Sequence, residues 1–344
     1  MSTSASAPKE TNAHVPKLAA VEPLLTKRFT APIETCEVDD KKKLKKYRRL
    51  WAKWMSWYEH RPDEPNSIES QINLMIFNDI TYRSVVSARG LGTKELPVSS
   101  RNPTLAYLVD QGYLVFQVLA IQKLLDRRRS VISICRLLAD VRENRDVITR
   151  EIFVSGDGHP YDYESWATTP GMRDDVYTRI WGIDSPRLVS YAVSKQLHET
   201  FDLLSGKEPR QRSRGDTIRQ AVFRTLNGWI NTDSAKEIES IRNNFIAHSA
   251  DAVARNRSAQ FSGVGFSQID ELQRAIVRVE RALTECILSI RVARDVAPMQ
   301  PLGIFSGLDL PYAAPEAKEA MYKRWDELAA DRNSWNLAVL NDLK

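Results

Sequence analysis

The sequence has few of the residues that build disulfide frameworks, zinc sites and β-sheets. Its 344 residues include only three cysteines, far apart at positions 36, 135 and 286. Because it has no Cys-x-x-Cys pair and no cluster of histidine with cysteine, it argues against a disulfide scaffold and a zinc site. The 14 glycines and the scarcity of alternating Val, Thr and Ile argue against a β-protein. We therefore expect an all-α protein with no metal and no cofactor.

Long apolar runs are missing as well. No stretch approaches the roughly 18 consecutive apolar residues of a membrane-spanning helix. The N-terminal Met-Ser-Thr-Ser-Ala-Ser-Ala-Pro is polar and unlike a signal peptide. We therefore expect no membrane partner and a location in the reducing cytoplasm. The formal net charge of +5 is compatible with an RNA or DNA partner, because both are polyanions.

The residue pattern divides the chain into four segments. Residues 1–38 predict a flexible tail, residues 39–100 a basic amphipathic helical extension, residues 101–297 a helical bundle, and residues 298–344 a linker and a last helix.

Several local signals mark helices within the bundle segment. Asn102-Pro103 is typical of a helix start, and residues 105–125 are apolar on most sides, as in a buried helix. Ser234 and Glu237 have the spacing of a capping box, which predicts the start of another helix. Apolar residues from Ile269 to Ala293 step by three and four over about four heptads, which predicts a seam of the bundle.

Two polar connections interrupt these helices. Residues 206–215 have the composition of a charged linker. Residues 156–162 form a loop in which Asp157, His159 and Asp162 have the right chemistry to hold a metal ion. Such residues beside Gly and Pro are more typical of a polar turn, which is the interpretation we favour.

The basic extension begins with an amphipathic helix over residues 39–60. Its apolar face consists of Leu44, Tyr47, Trp51, Trp54 and Tyr58, at steps of three and four. A nucleic-acid contact is one interpretation, with aromatic rings available to stack on bases. In the other, the aromatic face packs on the domain and the cations are only solvated. The candidate nucleic-acid-binding residues are Lys41, Lys42, Lys43, Lys45, Lys46, Arg48 and Arg49.

The most informative stretch is Ile-Arg-Asn-Asn-Phe-Ile-Ala-His-Ser, residues 241–249. The guanidinium of Arg242 can hold a phosphate through two parallel hydrogen bonds. His248 can give or take a proton near neutral pH. Together they suffice for cleaving a phosphodiester without a metal. In the structural alternative, His248 lies at the edge of the core and Arg242 pairs with Glu239, three residues earlier.

This stretch resembles the HEPN superfamily, and within it the abortive-infection type. The motif of that family is matched by Arg242, Asn243, Ile246-Ala247, His248 and Ser249. As in that family, the motif lies late in a helix of an all-helical core and precedes a long heptad helix. The resemblance covers about residues 100–297.

The resemblance implies an antiparallel helical bundle, and the residue pattern predicts extra N-terminal and C-terminal helices outside it. It also implies a homodimer whose paired motifs form one composite site, and a metal-independent endoribonuclease. Arg242 would stabilise the transition state, His248 would transfer a proton, and Asn243 would orient the histidine or the phosphate. The products would carry 2′,3′-cyclic phosphate and 5′-hydroxyl ends.

We therefore expect a toxin or anti-phage defence protein that acts on RNA and has a cognate antitoxin or other regulator. Some HEPN toxins carry a tyrosine after the histidine as the target of nucleotide addition. Here Ser249 and Ala250 follow His248, which does not support that mode of regulation. Two alternatives stay open. One is a non-catalytic dimeric adaptor or RNA-binding protein, and the other is a helical protein of another family with a structural Arg242 and His248.

Overall fold

Helices account for the regular structure of the described residues, which are 28–62, 64–91, 103–168, 186–246, 265–290, 295–306 and 317–335 of a computed structural model. Within these ranges the extended pairing is limited to two isolated bridges, Arg61–Glu64 and Thr149–Thr217. The predicted all-α class is therefore confirmed. The α-helices are α1 (Lys41–Tyr58), α2 (Ile68–Leu91), α3 (Pro103–Leu125), α4 (Ile134–Glu143), α5 (Arg150–Ser155), α6 (Pro186–Ser205), α7 (Gln220–Ile230), α8 (Asp233–Ile241), α9 (Phe266–Arg281) and α10 (Ala317–Ser334).

Helix α1 forms because its apolar side chains share one face. Asp40 caps its N-terminus by accepting a 2.8 Å hydrogen bond from the backbone N–H of Lys43. The whole aromatic face is buried, including Tyr47 and Trp54, which are both 0% exposed. This confirms the interpretation in which the aromatic face packs on the domain. It corrects the other interpretation in one respect, because rings buried in the core cannot stack on bases.

The predicted flexible tail is too long at its C-terminal end. Residues 28–38 pack on the body of the protein, and Cys36 and Val38 are buried. Phe29 contacts the rings of Tyr47 and Trp51 edge to face. The sequence shows no period here because an irregular segment buries single side chains rather than a helical stripe. The prediction for residues 1–27 lies outside the described residues.

Four helices meet around a largely buried ionic cluster that we call the arginine–aspartate cluster, made of Asp79, Arg83, Arg332 and the partly exposed Asp270. Arg332 Nη2 donates to Asp79 Oδ2 at 2.7 Å and to Asp270 Oδ1 at 2.9 Å. Arg83 Nε donates to the other oxygen of Asp79 at 2.9 Å. Since these residues lie on α2, α9 and α10, the cluster joins the first and last parts of the chain. Tyr113 on α3 completes it with a hydrogen bond to Asp79.

Helix α3 is less buried than its composition predicts. It begins at Pro103, as expected. However, Tyr107, Leu108 and Leu119 are 60%, 59% and 39% exposed. A helix that is apolar on all sides is normally covered on all sides. The described chain therefore leaves one apolar face of α3 open.

The expected charged linker, residues 206–215, is tied to the body of the protein. Arg212 Nη2 pairs with Asp202 Oδ2 of α6 at 2.7 Å. Arg214 Nε pairs with Glu151 of α5 at 3.1 Å. The fully buried Arg150 connects the same elements through Asp202. Arg212 and Arg214 of the linker are thus paired with carboxylates of other elements, and composition alone cannot distinguish paired charges from solvated ones.

The helix starts and ends near the motif differ from their sequence signals. Thr232, not Ser234, caps α8, because its Oγ1 accepts from the N–H of Ala235 at 3.3 Å. The seam predicted from Ile269 to Ala293 is buried as far as Ile290, and Ala293 lies outside the described residues. Its regular α-helix ends at Arg281, and a π-helical turn follows at Ala282–Ile287. The last predicted helix is present as α10.

Candidate functional site

The Arg-Asn pair of the motif lies where α8 changes its helical geometry. The α-helix ends at Ile241, and Arg242–Ile246 forms a π-helical turn. Single π turns are uncommon and occur often at functional sites. Arg242 and Asn243 lie in this turn. His248 lies outside the described residues, so its position relative to Arg242 stays a prediction.

Arg242 is held by neighbours in its own turn. Its Nε and Nη2 atoms donate to Asn243 Oδ1 at 3.0 and 2.8 Å. Its Nη2 lies 3.8 Å from Glu239 Oε1, a loose ion pair. The Arg242 side chain is 26% exposed, and its Nη1 makes no hydrogen bond to a described residue. The amide of Asn243 thus orients the guanidinium and leaves donors available.

Arg242 and Asn243 line an open pocket of about 740 Å³, here called the Arg242 pocket. One wall is a single face of α8, and the opposite wall is the C-terminal end of α3 with the loop that follows it. Cys135 of α4 and the end of α7 complete the lining. The lining residues are Gln122, Leu125, Asp126, Arg127, Arg128, Cys135, Ile230, Asn231, Thr232, Ala235, Lys236, Glu239, Arg242 and Asn243.

The charge of this pocket is predominantly positive. Four cations line it, against the carboxylates of Asp126 and Glu239. The pKa of Asp126 is lowered, chiefly by hydrogen bonds from the Arg128 side chain and in smaller part by the charge of Arg242. The Arg128 guanidinium donates to both oxygens of Asp126, to Oδ1 from Nε and to Oδ2 from Nη2. Since Asp126 stays ionised, it offsets part of the cationic field without removing it.

The thiol of Cys135, in the pocket wall, is expected to be unreactive. Cys135 is 8% exposed. Burial raises the pKa of its thiol to about 11, so the protonated form dominates at neutral pH. A thiol in this form is a poor nucleophile. The chemistry available to the pocket is therefore the recognition of an anion by guanidinium and ammonium groups.

The two arginines of the loop after α3 are pocket residues that the motif did not reveal. Arg127 donates to Asn231 Oδ1 at the end of α7, and Arg128 pairs with Asp126. The available signal was the run Arg127–Arg129 directly after a helix end. Only the fold shows that this run faces Arg242, because the two segments are more than 100 residues apart.

The structure separates the candidate nucleic-acid-binding residues of α1 into three groups. Lys41 and Arg48 are used within the fold, since Lys41 donates to the carbonyl of Cys36 and Arg48 Nη2 donates to that of Gly156 at 2.7 Å. Lys43 is half-buried. The exposed residues of the set are Lys42, Lys45, Lys46 and Arg49.

The loop over residues 156–162 is a polar turn. Asp157 accepts from the backbone N–H of Thr30 at 2.9 Å, and His159 Nδ1 lies 2.9 Å from Ser190 Oγ. Across the described ranges, which include this loop, no three His, Cys, Asp or Glu side chains come together in a group able to hold a metal ion. Asp157 and His159 therefore tie the loop to distant segments of the chain, at Thr30 and Ser190.

Two wider findings complete the description of the site. Within the part of the chain that the structure describes, every helix is too short or too polar to cross a membrane. No family model, no curated protein and no solved structure matches this chain. The chemistry of the Arg242 pocket therefore has to be interpreted from its own residues.

Proposed function

We propose that this protein is a metal-independent RNA endonuclease in which Arg242 and His248 act on the scissile phosphodiester. The observation that carries the proposal is the state of Arg242. Its guanidinium is oriented by Asn243, keeps free donors, and lines an open pocket with three further cations. A planar guanidinium in this state suits the charged oxygens of a phosphodiester.

The proposed reaction is an attack of a ribose 2′-hydroxyl on the adjacent phosphorus. His248 takes the proton of the 2′-hydroxyl or gives one to the leaving 5′-oxygen. Arg242 stabilises the negative charge that gathers on the phosphate oxygens. The P–O5′ bond breaks as the P–O2′ bond forms, which leaves a 2′,3′-cyclic phosphate and a 5′-hydroxyl. DNA has no 2′-hydroxyl and is not cut.

The proposal includes a two-fold homodimer with a composite site. The apolar seam of α9 packs against other helices of the same chain, and Leu272 and Ile276 are fully buried. It therefore offers no surface for a partner. The open apolar face of α3, around Leu108 and Leu119, supports self-association instead. The biological role we propose is that of a cytoplasmic toxin or anti-phage protein, controlled by an antitoxin or another regulator.

A second candidate is a dimeric RNA-binding protein or adaptor without catalysis. The observation that favours it is the pair of local contacts from Arg242 to Asn243 and Glu239. These contacts also suit an arginine that only secures the end of α8. Both candidates bind a polyanion in the Arg242 pocket, and they differ in whether a bond is broken.

The deciding experiment incubates purified protein with total RNA, with and without EDTA, and analyses the new RNA ends. We expect cleavage that survives EDTA and yields cyclic phosphate and 5′-hydroxyl ends. His248→Ala should lower the rate by about 10²–10⁴-fold, which is the usual cost of losing a general acid or base. His60→Ala is the control, because His60 is an exposed histidine on a different part of the fold.

Either of two results would contradict the nuclease. One is RNA binding by the wild type with no cleavage of any RNA in the pool, which favours the adaptor. The other is cleavage that His248→Ala leaves unchanged, which assigns the reaction to other groups. Sedimentation of the same samples tests the dimer, since a single species of about 39 kDa at micromolar concentration contradicts it.

A further inference from the structure

Four cations of α1 form one exposed stripe. Lys42, Lys45, Lys46 and Arg49 follow the spacing i, i+3, i+4 and i+7, which places them on a single helix face. They line a shallow groove of about 400 Å³ together with Leu50 and Lys53. None of the four pairs with an acidic side chain in the described parts of the chain. An uncompensated row of this kind is a surface for a polyanion.

The stripe continues toward α4 through Lys53 and Trp57. Lys53 Nζ pairs with Asp140 of α4 at 2.8 Å and lies 4.8 Å from the centre of the Trp57 ring. The guanidinium of Arg136, also on α4, lies 3.9 Å from the centre of the same ring. One indole therefore holds a cation from each helix, so cations of α1 and α4 meet at Trp57, where the Asp140 carboxylate offsets the charge of Lys53.

Helix α4 connects this junction to the Arg242 pocket. Cys135, next to Arg136 in the sequence, forms part of the pocket wall. Cys135 and Asp140 are five residues apart, or about 7.5 Å along the axis at about 1.5 Å per residue. Along the axis of α4, the end of the stripe and the wall of the pocket are thus little more than one helical turn apart, on sides of the helix that differ by about 140°.

We propose that these residues form one cationic track that binds the backbone of single-stranded RNA and leads it to the Arg242 pocket. The track runs from Lys42 along α1 to Lys53, crosses Trp57 to Arg136, and ends at the pocket. Along α1 it covers about 16 Å, from eleven residues at about 1.5 Å each. The part of the proposal that concerns the pocket rests on the proposed function, whereas binding along α1 does not.

The burial of the aromatic residues determines what the track recognises. Trp51, Trp54 and Trp57 are 7%, 0% and 9% exposed, so they offer no open face to a base. The track therefore contacts phosphates, and binding along it is independent of base sequence. A flexible single strand can follow the turn from α1 to α4, whereas a duplex is stiff over this length.

A membrane surface is the other polyanion that a lysine-rich helix can meet. Helices that lie on membranes bury an apolar face among the lipids. The apolar face of α1 is already buried in the protein core, with Leu44 and Tyr47 at 0% exposure. Since no face is left to insert, the charges of α1 favour a nucleic acid over a lipid surface.

The test compares two variants that lose the same charge. In the track variant, Lys42, Lys45, Lys46 and Arg49 become Gln. In the control variant, Lys195, Lys207, Arg210 and Lys323 become Gln, all of them exposed residues away from the track. The affinity of each protein for a long single-stranded RNA is measured over a range of salt concentration, after circular dichroism has shown that both are folded.

The negative slope of log K against log salt should become shallower by roughly 3 in the track variant. Each of the four lost contacts to a single-strand phosphate contributes about 0.7 to its magnitude. The control variant should keep the wild-type slope. Equal slopes in all three proteins, or equal losses in both variants, would overturn the track. So would vesicles containing phosphatidylserine that bind the wild type but not the track variant, while RNA binding stays unchanged.

A further variant tests whether the stripe on α1 and the Arg242 pocket bind the same RNA strand. Arg136→Gln should weaken binding of the long RNA and leave binding of a dinucleotide unchanged, with one long RNA bound per chain. Two RNA molecules per chain, or an Arg136→Gln variant that binds like the wild type, would show two separate sites. These binding readings need no cleavage. If cleavage is observed, the track variant should raise KM and leave kcat unchanged.

Discussion

The protein contains two kinds of arginine, and Arg332 and Arg242 represent them. Arg332 is 1% exposed and bonds to Asp79 and Asp270, which are 253 and 62 residues away in sequence. Arg242 is partly exposed, and its contacts are to Asn243, the next residue, and Glu239, three residues earlier. Both belong to helices and both meet oxygen acceptors. They differ in what their partners do for the fold.

The difference separates a structural arginine from one that is available for a ligand. Besides its neighbour Asp331, Arg332 bonds to Asp79 and Asp270 on other helices, and these two bonds hold elements together. The partners of Arg242 belong to its own turn, so its bonds orient the guanidinium and tie nothing else down. Arg150 resembles Arg332, since it is fully buried and bonds to Asp202 and Asp216. An arginine oriented by its own turn and facing a pocket has donors left for a phosphate.

The first prediction tests the structural side of this comparison and has the largest expected effect. Asp79→Ala leaves Arg83 and Arg332 buried without one of their carboxylates. Removing one partner of a buried ion pair usually destabilises a protein by about 3–5 kcal/mol. Chemical unfolding in urea measures the loss. Asp233→Ala is the control, because Asp233 pairs with Lys236 at the exposed surface, and it should leave stability unchanged.

A small effect of Asp79→Ala would contradict this account of the cluster. In that case Arg83 and Arg332 would be satisfied by Asp270 alone. The double change Asp79→Ala with Arg332→Met would then be no more stable than the single change. We expect the opposite, that removing both charges restores part of the lost stability, because the unpaired guanidinium is then gone.

The second prediction tests Arg242, the arginine that we propose is available for a ligand. Arg242→Ala should lower RNA cleavage by about 10²–10³-fold, the usual cost of losing a donor to a developing negative charge. Arg242→Lys should also fail, because an ammonium cannot make the planar two-point contact. Neither change should lower the melting temperature appreciably, since the contacts of Arg242 are local and partly exposed. Cleavage assays and thermal unfolding of the same preparations check both statements.

If the Arg242→Ala protein unfolds at a much lower temperature than the wild type, Arg242 is a structural residue like Arg332. Arg332→Lys is the matched control for the shape of the guanidinium. It should destabilise the fold without a specific effect on cleavage per folded molecule. The two arginine-to-lysine changes should therefore separate in their readouts, which sharpens the comparison.

The sequence predicted the helical elements better than it predicted their environment. Period and start signals predicted α1, α3 and α10 because apolar spacing and Pro103 act locally. The same signals missed the open face of α3, since burial depends on what packs there. They also placed the cap of α8 at Ser234 rather than Thr232, because both residues are good caps and only the backbone geometry decides between them.

For the site as well, local features were predicted from the sequence and contacts between distant segments were not. Arg242 and Asn243 were predicted from a local motif, and their mutual contact is also local. Arg127 and Arg128 of the pocket, and Arg136 of the proposed track, were not predicted as site residues, because the fold brings them there from distant segments. A run of cations did not predict either that Lys41 and Arg48 donate hydrogen bonds to backbone carbonyls within the fold. Charge density in a sequence gives no information on which charges are already paired.

The smallest effect we predict concerns His198, the structural counterpart of His248. Its Nε2 lies 2.8 Å from the carbonyl of Tyr161, and it is 3% exposed. Burial lowers the pKa of His198 below its ordinary value, the charges of Arg212 and Arg150 add to this, and the contact with Tyr161 and the charge of Asp202 oppose it.

The unfolded chain, with an ordinary histidine pKa of about 6.5, therefore binds a proton at this position more readily than the folded chain. Stability from this residue is complete above about pH 6.5 and falls as the pH drops toward the folded-state pKa. Urea unfolding over this pH range should show the slope in the wild type and a flatter line in His198→Gln. The pH profile of RNA cleavage should be the same in both proteins, because the proposed mechanism assigns the proton transfer to His248. If His198→Gln instead shifts the cleavage profile and leaves the stability slope intact, His198 is the functional histidine and the roles of the two residues are exchanged.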